Sequence, residues 1–165
     1  MTVQPIEFSD VTGLIVGIKP IYLNTFLHRG LYGITDSESV RVGKGGEKRR
    51  LFSEADVFGI ALVWMLFESG LRTKSIRRIL NDLAGTQKAN AKMAAETLRQ
   101  YQAEYIVVVR EPRKPKGKTD PEPDIRTANE SELAGILADN PTANVLMVPI
   151  GAKFADIKER LRVLY

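Results

Sequence analysis

The sequence contains no cysteine, which excludes disulfides, thiolate-held metals and cysteine nucleophiles together. It has one histidine, His28, too few for the usual zinc ligand sets. Its carboxylates are scattered, with no pair placed by a recognisable motif, so an enzyme is not expected, nor a metal site or cofactor. The longest unbroken apolar run, Ile60 to Phe67, is far short of the roughly 20 residues that span a bilayer, so no membrane association is expected. Residues 1–16 have neither the charged start nor the long apolar stretch of a signal peptide. The expected location is the cytoplasm, on the nucleoid.

What is present is enough for one core. A chain of 165 residues with 44% hydrophobic residues builds a single small domain, with or without an appended unit. The formal net charge of +4 permits a polyanionic partner, and the distribution of that charge matters more than its total.

The stretch Gly17 to Leu31, GIKPIYLNTFLHRGL, reads as a turn followed by a short helix. Val16-Gly17-Ile18 supplies the turn, and Pro20 suits the first turn of a helix starting near Lys19. Leu23, Phe26 and Leu27 fall at helical spacing, leaving Tyr22, Asn24, Thr25 and Arg29 on other faces, and Gly30 is the expected C-terminal cap. Before it, Phe8 to Leu14 reads as one short helix with Ser9 as N-cap and Phe8, Val11 and Leu14 on one face. Helix, glycine turn and helix make a helix-turn-helix pattern, in which the second helix carries groove contacts. By itself the pattern is equally a structural corner.

The next segment favours the first of these. Ser39 to Val42 and Lys48 to Phe52 are runs able to pair as strands, joined by Gly43-Lys44-Gly45-Gly46. Five of the ten residues from Arg41 to Arg50 are Lys or Arg, against one Glu. We read this as a basic wing rather than a solvated loop, with its cations on phosphates or in the minor groove. A third helix begins at Ser53, with Asp56 completing a capping box, and should run to Ser69 with Gly70 as its stop. It is apolar nearly all round from Val57 to Phe67, so it is either the centre of the core or partly covered by a second subunit. A fourth helix, capped by Thr73, carries the stripe Ile76, Ile79, Leu80 and Leu83. Its cations Arg72, Lys74, Arg77 and Arg78 read as a solvated face in preference to extra phosphate contacts.

Taken together, Gly17, Ile18, Pro20, Leu23, Phe26, Gly30 and Leu31, followed by Arg50, Phe52, Ser53 and Asp56, resemble the MerR family of bacterial transcriptional regulators. Gly70 and the Ile76 to Leu83 stripe are similar to the end of that family's DNA-binding unit, and the likeness covers roughly residues 6 to 84. The resemblance implies a winged helix-turn-helix over residues 1–85, then a connecting and dimerisation helix over 86–103. It departs where the family has an arginine-tyrosine pair on the recognition helix; Asn24-Thr25 stands there instead, and Leu27 replaces the family's glutamate. Asn can bond the edge of adenine, and Thr can bond a phosphate or meet a thymine methyl.

In the second half, Thr86 to Gln102 can form a helix with Ala94, Leu98 and Tyr101 on one side, too narrow and alanine-rich for a strong coiled coil. Residues 104–165 read as a small α/β unit. Tyr105 to Val109 is a buried strand, and the loop near 111–124 is flexible or a basic arm. A helix follows from Asn129, with Glu132 as its box partner. Val145 to Ile150 is a second buried strand, and Phe154, Ile157, Leu161 and Leu164 form the apolar face of a last helix. Two strands alone are marginal, so further strands should come from the linker, the N-terminus or, as preferred, another subunit.

The expected fold class is therefore mainly α with small β. The expected function is that of a dimeric, sequence-specific DNA-binding transcriptional regulator that bends double-stranded DNA. Lys19, Tyr22, Asn24, Thr25 and Arg29 would lie in the major groove, with Arg41, Lys44, Lys48, Arg49 and Arg50 on the wing. Family analogy adds RNA polymerase as a partner. The alternatives are a protein-interaction adaptor on the same scaffold and an architectural DNA-binding factor of a phage or mobile element.

Overall fold

The structure, a computed structural model, describes residues 6–28, 31–34, 39–41, 48–112 and 122–164. A short strand β1 (Ile6–Glu7) leads into α1 (Phe8–Leu14) and, after a turn, α2 (Pro20–His28). One 3-10 turn (Leu31–Gly33) precedes strands β2 (Ser39–Arg41) and β3 (Lys48–Phe52). Helices α3 (Glu54–Glu68), α4 (Thr73–Ala84) and α5 (Ala91–Gln100) follow. Then come β4 (Tyr105–Arg110), β5 (Asp124–Ala128), α6 (Glu130–Asp139), β6 (Asn144–Pro149) and α7 (Gly151–Leu164). The described residues are mainly helical with two small antiparallel sheets, as expected for a mainly α chain with small β.

Helix ends follow local chemistry, with three departures from expectation. At α1 the N-cap is Glu7 rather than Ser9, and Asp10 Oδ2 accepts from the Glu7 backbone N–H at 3.3 Å. Pairing of Glu7 with Leu51 holds Glu7 extended, so the helix starts directly after it. At α4 the N-cap is Arg72, which makes no side-chain cap bond, and Thr73 is already helical. The third departure is α5, which begins at Ala91 rather than Thr86. The Thr86 hydroxyl donates to the Lys88 carbonyl at 2.7 Å, and the Asn81 amide donates to the Gln87 carbonyl at 3.3 Å. Those bonds hold 86–88 as a turn until Asn90 caps α5 by accepting from Met93 N–H at 3.0 Å.

Helix α3 is the centre of the core. The Ser53–Asp56 capping box forms as expected, with Ser53 N–H donating to Asp56 Oδ2 at 2.8 Å and Asp56 N–H to Ser53 Oγ at 3.2 Å. From Val57 to Leu66 every residue is buried. The chain's own α5 covers one side of it, through Ala91, Ala94, Ala95 and Leu98. The two backbones nearly touch there: a Cβ on Gly59 would stand 2.9 Å from the Lys92 nitrogen. The apolar face of α5, expected to serve a partner helix, therefore lies in the core of its own chain. Tyr101, expected on that face, is 74% exposed just beyond the helix end.

The second sheet has the order β5-β4-β6, with both pairings antiparallel. Its third strand, β5, lies between the loop expected near 111–124 and the helix expected from Asn129, in a stretch to which no element was assigned, so the chain itself supplies the strand that a partner subunit was invoked to provide. The run from Ile106 to Val109 is buried throughout because β4 is central and covered on both faces. Ile106 and Val108 join the main core, while Val107 and Val109 face a second cluster with Leu133 and Ile136 of α6. The edge strand β6 departs from the expected burial, since Val148 is its one buried residue. Phe154, Ile157 and Leu161 of α7 are buried as expected, but Leu164 is 48% exposed. The ring of Phe154 meets Phe58 of α3 edge-on at 5.1 Å, so one continuous core runs from Ile6 to Leu161.

Candidate nucleic-acid interface

The α1–α2 corner turns at Gly17, whose φ of +91° suits glycine. Ile15 and Ile18 on either side are buried, anchoring the turn. The Lys19 carbonyl accepts from Tyr22 N–H at 2.9 Å, which starts α2 with Pro20 as its first residue. Leu23, Phe26 and Leu27 are buried, which fixes the rotation of α2.

That rotation distributes the expected contact residues unevenly. Lys19 is exposed at the start of the helix. The ring of Tyr22 lies 5.3 Å from Trp64 and 5.6 Å from Phe67, so most of the side chain is packing surface in an aromatic cluster. Thr25 is half-buried, and its hydroxyl donates to the Ile21 carbonyl at 2.8 Å. Asn24, also half-buried, accepts at Oδ1 from Arg50 Nη1 at 3.0 Å. This bond brings together one expected helix residue and one expected wing residue.

Strand β3 is central in the first sheet, between β1 and β2. Its register with β2 sets Ser39 opposite Arg50, Val40 opposite Arg49 and Arg41 opposite Lys48. Two cationic residues thus occupy one rung of the ladder. Only the strand positions of Arg41, Lys48 and Arg49 are described. Arg29, Gly30 and Lys44, with the rest of the expected hairpin tip, lie outside the described residues, as do residues 113–121 of the expected loop or basic arm.

On α4, Arg72, Lys74 and Arg77 are exposed. Arg78 is engaged within the chain, 2.8 Å from Glu122 and 3.7 Å from Asp82. Sequence reasoning missed Ile21, which is 69% exposed and shares the outer face of α2 with Asn24, Thr25 and His28 at i, i+3, i+4 and i+7. Its signal was available, because Ile21 stands off the Leu23, Phe26 and Leu27 stripe. In comparison with known proteins, the chain matches no family model and no curated protein.

Proposed function

We propose that this protein is a dimeric, sequence-specific DNA-binding transcriptional regulator of the winged-helix kind, acting in the cytoplasm on the nucleoid. In this reading α1, the Gly17 turn and α2 form the helix-turn-helix, and β2 with β3 forms the wing. Helix α2 enters the major groove while the wing lies on phosphates or in the minor groove. The observation that carries the reading is the 3.0 Å bond from Arg50 to Asn24, which ties the outer face of α2 to the basic strand as one surface. The rung of Arg41 opposite Lys48 supports it as well. Ile21 supplies an apolar contact suited to a thymine methyl.

Dimerisation would place two such surfaces on a two-fold site and bend the duplex between them. It belongs to the C-terminal half, where β5 and β6 are the outer strands of the described sheet. RNA polymerase is the further partner that such a promoter-bound regulator would meet. The test is fluorescence anisotropy of labelled duplexes across a salt series. Log affinity should fall steeply with log salt; a salt-independent affinity, or no duplex binding at low salt, overturns the proposal.

A second reading is a protein-interaction adaptor. The observation favouring it is apolar exposure on and beside α2, at Ile21 (69%) and Phe67 (40%). An Asn24 substitution separates the two readings, since a DNA reader changes its base preference and an adaptor changes its protein pull-down.

A further inference from the structure

We infer that the protein dimerises by pairing the outer edge of β6 with the same edge of a second copy, antiparallel and centred on Leu146, so that the β5-β4-β6 sheets of two chains become one. The inference rests on the dimeric reading above and gives that dimer its surface.

The ladder fixes which backbone groups of β6 face outward. Directly opposed residues of antiparallel strands alternate between pairs that exchange both N–H···O bonds and pairs that exchange none. Ile150 N–H donates to the Glu104 carbonyl at 2.9 Å, and the register runs on with Val148 opposite Ile106, Leu146 opposite Val108 and Asn144 opposite Arg110. Those residues turn their backbone groups to β4, so Val145, Met147 and Pro149 turn theirs outward. Among the described residues no strand lies on that side. The outward donors are confined to the middle of the strand, because Pro149 has no N–H and the Ala143 N–H is spent on the Asn140 carbonyl at 3.2 Å. A two-fold pairing of Val145 with Met147 of the second copy satisfies the N–H and C=O groups of both residues. Setting Met147 against itself instead leaves the Val145 carbonyl facing Pro149, and setting Val145 against itself leaves the Met147 carbonyl facing the engaged Ala143 N–H.

The side chains favour a second copy as the occupant, and β6 over β5 as the edge. Asn144 to Pro149 carries no charge, whereas edge strands are commonly blunted by charge against such pairing. The two-fold pairing sets Leu146 against its own copy and Val145 against Met147, so the central rungs are all apolar. Leu146 already packs on the main core and Val145 on the second cluster, and Met147 is 40% exposed, so the pairing extends both clusters and covers Met147. The opposite edge, β5, carries Asp124 and Arg126, ion-paired to each other. By the same alternation β5 turns Ile125 and Thr127 outward, and the equivalent pairing of two copies would set Arg126 directly against Arg126, like charges that destabilise the rung.

The test is sedimentation equilibrium of the full chain without DNA, with circular dichroism to establish that each variant is folded. The unmodified protein should sediment at twice the chain mass. Met147→Pro removes an outward N–H from each copy and no bond to β4, a position where an edge strand tolerates proline. Loss of those bonds should weaken the dimer about thirtyfold. Thr127→Pro, the matching change on β5, should leave the dimer unchanged. The chain has no cysteine, so Leu146→Cys introduces a single thiol. Mild oxidation should join it to its own copy, because residues opposed at a rung without hydrogen bonds lie about 4.5 Å apart, within disulfide reach. Cross-linking does not depend on Met147→Pro being folded. An unmodified chain that stays monomeric overturns the inference and leaves the edge to a strand of another protein. A dimer of unchanged affinity in folded Met147→Pro, a dimer lost in folded Thr127→Pro, or no cross-link in folded, dimeric Leu146→Cys overturns it as well. Duplex anisotropy at low salt reports DNA binding separately. A monomer that binds duplex overturns the inference and leaves DNA binding standing, while a β6-paired dimer that binds none supports the inference and overturns the DNA-binding reading.

Discussion

Arg50 of β3 donates a hydrogen bond to Asn24 of α2 at 3.0 Å, joining two residues 26 positions apart in the chain. A bond to a charged donor in a half-buried setting stabilises more than a neutral surface bond, and cutting it from either side removes the same interaction. Asn24→Ala and Arg50→Ala should therefore be non-additive in urea unfolding, with a coupling of about 1 kcal/mol. Additive effects would show that the bond does not hold α2 to β3.

The α3–α5 contact makes an opposite prediction for two helical glycines. In an open helix position, glycine to alanine gains up to about 1 kcal/mol of propensity. Gly135 of α6 has nothing within 4 Å of an added Cβ, so Gly135→Ala should raise the melting temperature. A Cβ on Gly59 meets the Lys92 nitrogen at 2.9 Å and the Ala91 carbonyl carbon at 3.0 Å, both backbone atoms that cannot swing aside. Gly59→Ala should lower stability by about 1–3 kcal/mol, the usual range for overpacking.

The core is continuous across the two halves of the sequence, through Phe58 and Phe154 in edge-on contact at 5.1 Å. Phe58 is also capped by the Arg99 guanidinium, 4.1 Å from its ring centroid. Trp64, the one tryptophan, lies in the α3 part of that core. Phe154→Ala should cost about 3 kcal/mol or more, and it should move the Trp64 fluorescence transition and the circular dichroism transition together. Separate transitions would show that α7 unfolds independently of α3.

Charge on the hairpin and charge on α4 should differ in their effect on duplex binding. Neutralising Arg49 and Arg50 should flatten the log affinity against log salt plot by about 0.9 for each phosphate that the protein no longer neutralises. Arg77→Gln on the exposed side of α4 should leave that slope unchanged. A slope lowered by Arg77→Gln would extend the DNA surface onto α4.

Most of the helical plan could be read directly from residue spacing. The Ser53–Asp56 and Asn129–Glu132 boxes, the Gly17 and Gly70 turns and the stripe beginning at Ile76 are local devices, each formed within a few residues of chain. Chemistry at that range needs no tertiary context. The continuous run from Ile106 to Val109 announced a strand buried on both faces for the same reason.

The strand β5 was not legible, because Asp124 to Ala128 has no period-2 apolar pattern and owes its extension to pairing with β4. Nor was the role of α5, whose alanine-rich face reads as weak until it is matched to the small surface at Gly59.

The candidate site divides in the same way. The sequence by itself determined that basic residues cluster from Arg41 to Arg50 and that Asn24 and Thr25 stand off the buried stripe of α2. Only the tertiary structure decided that the Tyr22 ring packs on Trp64 and Phe67, that Ile21 faces outward, and that Arg50 reaches Asn24. The first set depends on periodicity along one helix and on composition. The second depends on how far α2 is rotated against α3 and how close β3 comes to it, and the packed core sets both.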